Sequence, residues 1–338
     1  MRKKIISVIA TVLCAVMFFT LPCNAAKTNA GYYSDLKKVA NKKISTDIGT
    51  YNFTSMQGMA VGSKYAYTAK LPVNSNGDVI EDYATIVRTD TTNGNQTTLT
   101  FLGKQYVKGL GHANDMCVTS IDNKSTLFIS ASNSANTKEI NLIKMPVTGS
   151  TILKNGYFKV KYNNKPIRIS GLTILNKNSD TITFLFKNGN NIYTGSIGTH
   201  VGSGTINVKK VFTINTSSVT INGKTENFSN YSNQGFSYYN NKLYVALSGN
   251  GSNSNKSVML VYNNIGTYIE NNTTSETVYA SNDISFKITS KTYSNLFEIE
   301  SCGICSGDGK LYFNTNRRKT ASSSDWDGVH YIDGYNVK

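Results

Sequence analysis

Five short stretches of the chain share one order of polar and apolar positions. They are Met56-Gln57-Gly58-Met59-Ala60, Ala113-Asn114-Asp115-Met116-Cys117, Ile169-Ser170-Gly171-Leu172-Thr173, Asn233-Gln234-Gly235-Phe236-Ser237 and Ser301-Cys302-Gly303-Ile304-Cys305. In each, a polar or thiol side chain precedes Gly (Asp at 115), then a large apolar residue and a small one. A turn and a second β-rich run follow every copy: Lys64–Lys70, Thr126–Ser130, Thr181–Lys187, Lys242–Leu247 and Lys310–Asn314. Gly62-Ser63, Asn240-Asn241 and Gly307-Asp308-Gly309 lie in three of these turns, where tight hairpins accept left-handed backbone. Third and fourth strands are expected at Tyr83–Thr89 with Thr97–Phe101, at Glu139–Met145, and at Val258–Tyr262 with Glu276–Ala280.

The Gly/Asp column recurs at spacings of 57, 56, 64 and 68 residues, room for four short strands per unit. Five such units predict an all-β fold, a five-bladed β-propeller. Only half a unit follows Gly303, so an N-terminal strand, expected within Lys37–Ile48, closes the ring by supplying the missing outer strand. A β-sandwich has the same strand spacing; the five-fold column favours the propeller.

Before this region stand Arg2, Lys3 and Lys4, an apolar run from Ile5 to Leu21, and Cys23-Asn24-Ala25. That order predicts a secretory signal peptide over residues 1–25 and a single propeller domain over 26–338, secreted and extracellular, with no transmembrane anchor. Cleavage removes two of the 5 cysteines and leaves Cys117, Cys302 and Cys305, an odd number unsuited to a disulfide framework. Cys302 and Cys305, three apart on a strand, point to opposite faces, which argues against a redox or zinc pair.

The composition agrees with strands and turns: 41 Asn, 27 Gly and 21 Tyr, with 16% charged residues, are the reverse of a disordered chain. The net charge of +15 falls to +12 without the signal segment and is scattered in short clusters. Such a surface attracts anionic wall polymers by its general field. Neither a recognition helix nor an RNA-binding signature is present, which excludes nucleic acid as the expected partner.

In a ring of meandering sheets, the starts of the first strands and the ends of the second gather at one tunnel mouth. This brings together Gln57, His112, Asn114, Asp115, Ser170, Gln234, Glu298 and Glu300, rimmed by Lys70, Asn133, Asn188, Asn250, Asn316 and Arg317. The recurring amides Gln57, Asn114 and Gln234 either bind a ligand or bond the backbone of neighbouring blades. Asp115 replaces the repeat's glycine, and a charged group there needs a cation or hydrogen bonds. Glu298 and Glu300 are same-face neighbours about 7 Å apart along a strand. With Asp115, and His112 as helper, they could act as acid and base on a glycan, hold a calcium ion, or grip sugar hydroxyls. The ligand-binding set is therefore Gln57, His112, Asn114, Asp115, Gln234, Glu298, Glu300 and Arg317, with Asp115, Glu298, Glu300 and His112 the catalytic candidates.

The pieces Gly62-Ser63-Lys64-Tyr65-Ala66-Tyr67, Gly111-His112, Gln234-Gly235 followed by Asn241-Lys242-Leu243-Tyr244-Val245, and Glu298-Ile299-Glu300-Ser301 resemble the helveticin-type bacteriocin family. The resemblance implies a propeller-like extracellular protein that binds or kills related bacteria, with no catalytic residues to carry over. Three functions are thus expected: binding of a cell-surface glycan or cell-wall polymer through the tunnel-mouth face, as a bacteriocin-like factor; extracellular glycan hydrolysis by the mouth carboxylates; or a plain interaction scaffold.

Overall fold

A computed structural model describes residues 33–131, 141–153, 156–271, 274–282, 284–323 and 326–337. The expected signal peptide, Asn133 and the first part of Glu139–Met145 lie outside these residues.

Strand Thr181–Asn188 shows how the sequence builds the molecule. Ile182, Phe184 and Phe186 are fully buried on one face, and so is Leu185 on the other. A strand apolar on both faces must be covered on both. The even face packs with Phe128, Phe158 and Leu172; Leu185 packs with Val245, Leu247 and Phe236. The same alternation recurs in Lys124–Ser130 and Lys242–Ser248, where successive side chains enter different clusters.

Five antiparallel meanders carry this pattern. The first runs from Lys42–Thr46 through Gly49–Val61, Tyr65–Val73 and Tyr83–Asp90 to Gln96–Thr98. The second contains Met116–Ile121, Lys124–Ser130, Leu142–Thr148 and Gly156–Tyr162; the third Gly171–Lys177, Thr181–Asn188, Asn191–Gly198 and Lys209–Ile214. Ser232–Tyr239, Lys242–Ser248, Lys256–Tyr262 and Phe286–Thr289 form the fourth. Leu296–Ile304, Lys310–Arg318 and Gly328–Asn336 form the fifth, completed by Tyr33–Lys38 from the other end of the chain. The lead strands Gly49–Val61, Met116–Ile121, Gly171–Lys177, Ser232–Tyr239 and Leu296–Ile304 contact one another in that order, and the last contacts the first. Apolar clusters fill the spaces between successive sheets, including the space between fifth and first, where Met56, Met59 and Ala66 meet Cys305, Tyr312 and Val329.

Two expectations are displaced. The strand that completes the fifth sheet is Tyr33–Lys38, antiparallel to Gly328–Asn336 with Tyr33 opposite Ile332. Lys42–Thr46 instead pairs with Gly49–Val61 in the first sheet. Within Glu276–Ala280, only Thr277–Val278 is strand, and it pairs in parallel with Lys209–Ile214 of the third sheet. The fourth sheet ends on Phe286–Thr289. Outer edges are thus covered by strands borrowed from neighbouring connections, which leaves fewer unpaired backbone groups at the rim.

Charges hold the fifth sheet together where the two ends of the described chain meet, and a lysine ties it to the first sheet at the seam. Arg317 donates through Nη1 and Nη2 to the two carboxylate oxygens of Asp35, each at 2.9 Å. His330 Nδ1 lies 2.8 Å from Asp35 Oδ1, and its Nε2 2.8 Å from Thr315 Oγ1. Burial pushes Asp35 upward, but hydrogen bonds from His330 and Arg317 outweigh this and hold it well below the usual carboxylate range. The buried Lys70 ammonium completes the seam, 3.1 Å from Asp327 and bonded to Val39 O and Asn41 Oδ1.

Candidate functional site

The Gly/Asp column lies at the centre of the ring of lead strands. A Cβ on Gly58 would approach Asp115 Cα to 2.6 Å, and one on Gly235 would meet Asp115 Oδ1 at 2.5 Å and Ser301 Oγ at 2.4 Å. The glycines of neighbouring sheets therefore vacate the space that the aspartate fills. Asp115 is fully buried and its oxygens are shared among four sheets. Oδ1 accepts from Met116 N at 3.0 Å and Ser301 Oγ at 2.6 Å; Oδ2 accepts from Leu172 N at 3.0 Å and Phe236 N at 3.1 Å. Nearby Lys187, also fully buried, donates to Gln234 O. Burial pushes Asp115 above the usual carboxylate range and Lys187 below the usual amine range, and each one's charge opposes the other's shift.

Toward the starts of the lead strands stand Glu298 and Glu300. The pairing of Leu296–Ile304 with Lys310–Arg318 shifts register between Ile299 and Ser301, a bulge that re-aims side chains locally. Both carboxyls converge on Asn316, whose Nδ2 reaches Glu300 Oε1 and, at 3.4 Å, Glu298 Oε2. Asn316 is itself fixed to the backbone of Met56, accepting from its N at 2.8 Å and donating to its O at 3.1 Å. Gln234 Nε2 donates to Glu298 Oε1 at 3.1 Å. Glu300 is 4% exposed, while Glu298 is half-buried. Burial first, then the Glu298 carboxylate, push Glu300 well above the ordinary carboxylate range.

The other expected residues separate into three places. Gln57 is nearly buried, with Nε2 3.1 Å from Ser55 Oγ and its carbonyl accepting from Asn314. Asn114 is half-buried beside Asp115 in sequence. His112 pairs with Glu81, Nδ1 to Oε1 2.9 Å, and both remain partly exposed. Arg317 is 2% exposed and committed to Asp35 in the fifth sheet. Lys187 and Glu81 are the residues that sequence reasoning passed over. Lys187 had a signal, since Lys70 and Lys187 both end otherwise apolar second strands, where a lysine at a repeated position points inward. Glu81 lies in a turn that carries no pattern.

Among the described residues, no group of three or more His, Cys, Asp or Glu side chains is placed to hold a metal ion. Cys117, Cys302 and Cys305 are buried free thiols; Cys302 Sγ faces Tyr244 O at 3.6 Å and Cys305 Sγ faces Ser63 O at 3.4 Å. No described helix is long and apolar enough to cross a membrane.

Curled sheets arranged around a central ring of lead strands make this a β-propeller. No family model and no curated protein matches the chain. Solved structures do. One is a family GH43 β-xylosidase/α-arabinofuranosidase from a compost microbial metagenome in complex with xylotriose: 10% identity, 88% of this chain and 92% of that one, TM-score 0.46. A glycosyl hydrolase from Bacteroides ovatus is 8% identical over 91% of this chain and 94% of its own, TM-score 0.49. The α-L-arabinofuranosidase PaAbf62A from Podospora anserina, in complex with cellotriose, is 8% identical over 92% and 97%, TM-score 0.44. These findings overturn the helveticin-type resemblance: the solved structures that match are glycoside hydrolases, and no family model matches the chain.

Proposed function

We propose that the chain is a secreted, single-domain, five-bladed propeller that hydrolyses glycans with the carboxyl pair Glu298–Glu300. Five sheets, a cycle of five lead strands and an N-terminal strand in the last sheet support the blade count. Basic, apolar and small-residue segments in order over residues 1–25 support secretion.

The observation that carries the activity is the convergence of two carboxyls on Asn316 at the end of the ring where the lead strands begin, one of them buried. Burial and a neighbouring carboxylate push Glu300 up, the direction that suits a general acid for a glycosidic oxygen. Glu298, partly exposed and steered by Gln234 and Asn316, is the member of the pair that faces the substrate. Asp115 takes no part, because both of its oxygens are occupied within the fold. The two glutamates are too close to flank a sugar in the manner of paired hydrolase carboxylates, which stand about 5 Å or more apart. We assign activation of the water to the other partly exposed pair of titratable groups, His112 and Glu81, 2.9 Å apart. Cleavage consumes one water, whose hydroxyl goes to the anomeric carbon and whose proton returns to the acid pair.

The test is release of reducing ends by the mature chain from a panel of short glycans that includes xylotriose and cellotriose. Glu300→Gln is expected to lower the rate about a hundredfold or more. A panel left uncleaved by the wild type, or cleavage undiminished in both Glu298→Gln and Glu300→Gln, overturns the reading.

A further inference from the structure

The axis has a second end. Beyond the Asp115–Ser301 contact, the lead strands continue towards their hairpin turns and leave a cavity of about 410 Å³. All five lead strands line it, together with turn residues such as Ser63 and Ser306. Ser301 lies in its strand between Glu300 and the cavity-lining Cys302, and Asp115, bonded to Ser301, immediately precedes the cavity-lining Met116.

The lining has an unusual chemistry for a chain with a net charge of +15: it contains no Lys, Arg, His, Asp or Glu. It consists instead of hydroxyl residues such as Thr119, Ser237 and Ser306, the tyrosines Tyr238 and Tyr239, and apolar residues such as Val118 and Ile304. A charged ligand would be desolvated there with no ion to meet it. Hydroxyl side chains rotate to donate or accept, which suits a partner that is itself a ring of hydroxyls. Aromatic and aliphatic surface suits the C–H face of such a ring, and the volume falls within the usual range for small-molecule sites. We propose that this second axial cavity is a binding site for a neutral sugar, one ring of a glycan, distinct from the carboxyl pair and independent of hydrolysis.

The test uses the mature chain and saturation-transfer NMR with D-xylose, D-glucose and N-acetylglucosamine as neutral probes and D-glucuronate as a charged one. The expected result is binding of at least one neutral sugar, weakened about tenfold or more by Ser237→Phe, which fills the cavity, and retained in Glu300→Gln. Tyr239→Ala, which removes a ring without filling space, is expected to weaken the same contact and serves if the phenylalanine variant does not fold. The proposal is overturned if no neutral sugar binds, if D-glucuronate binds more tightly, or if binding is insensitive to both cavity variants. Binding lost in Glu300→Gln but unchanged in Ser237→Phe places the sugar at the carboxyl pair and also overturns it. Loss of hydrolysis in Glu300→Gln bears on the carboxyl pair alone.

Discussion

Asp115 offers the sharpest test of how the ring is held, because its substitution by glycine restores the residue that the other four copies carry. If the column serves only close packing, Asp115→Gly is neutral or stabilising. The structure requires the opposite. Three backbone N–H groups, from Met116, Leu172 and Phe236, and the Ser301 hydroxyl all donate to this carboxylate inside a dry core. In Asp115→Asn one oxygen becomes an NH2 group facing two donors. Ser301 can turn its hydroxyl towards Met59 O, 3.3 Å away, so the loss is smallest when the amide nitrogen replaces Oδ1. One or two buried N–H groups then lack an acceptor, a cost of about 1–3 kcal/mol each, or about 1–6 kcal/mol in all. Asp115→Gly removes both oxygens and is expected to cost more. Urea unfolding at pH 7.5, followed by far-UV circular dichroism, measures the difference, with an unchanged m-value as the check that the transition is comparable. A loss below about 1 kcal/mol in both variants would refute the argument.

Other outcomes follow from the charges around Asp35 and from the carboxyl pair. Burial draws His330 down from 6.5 to about 4, so between those values the unfolded chain binds a proton that the folded one does not. Wild-type stability from this group is thus complete above about pH 6.5 and falls by about 3 kcal/mol as pH drops to about 4; the difference in unfolding free energy between wild type and His330→Gln should shrink over that window, and a flat difference would exclude the assignment. Asp35→Asn turns one of the two oxygens that face the Arg317 fork into an NH2 group and removes the negative charge beside a nearly buried guanidinium; hydrogen exchange should quicken first in residues 33–38, whereas uniform quickening would show that this strand is not a separable unit. Asn316→Ala frees both glutamates from their shared donor and leaves buried Met56 N without its acceptor, so it is expected to lower the melting temperature and to reduce glycan cleavage per folded molecule; unaltered cleavage would count against its positioning role.

Much of this architecture could be read from the chain because the repeat leaves a mark at its most crowded point. The glycine column survives where lead strands approach one another, and the large apolar residue that follows is buried in every copy: Met59, Met116, Leu172, Phe236 and Ile304. What the pattern could not convey is which edge a peripheral strand joins. Lys37–Ile48 and Glu276–Ala280 both contain β-forming segments, but pairing partners on an outer edge depend on the curvature of whole sheets, and part of each joined a different sheet from the one expected. The site shows the same division. Asp115 stood out by breaking the column, yet four donors, three of them from distant segments, decide that it bonds rather than reacts. Glu298 and Glu300 were visible as a same-face pair, but the bulge that turns both towards Asn316 has no signature in the residues themselves. Arg317 looked like a rim cation because its partner, Asp35, lies at the other end of the chain.

That last pairing has a consequence for how the protein comes into being. Tyr33–Lys38 is among the first described segments to be synthesised, and its partner, Gly328–Asn336, is the last. Until Gly328–Asn336 has been made, the early strand must wait with an open edge while the intervening sheets assemble, and the contact that completes the fifth sheet spans nearly all of the described residues. Deleting either strand would leave the same gap, and a permuted chain in which the two strands are joined directly and a hairpin turn is opened instead should acquire its final sheet early and fold faster.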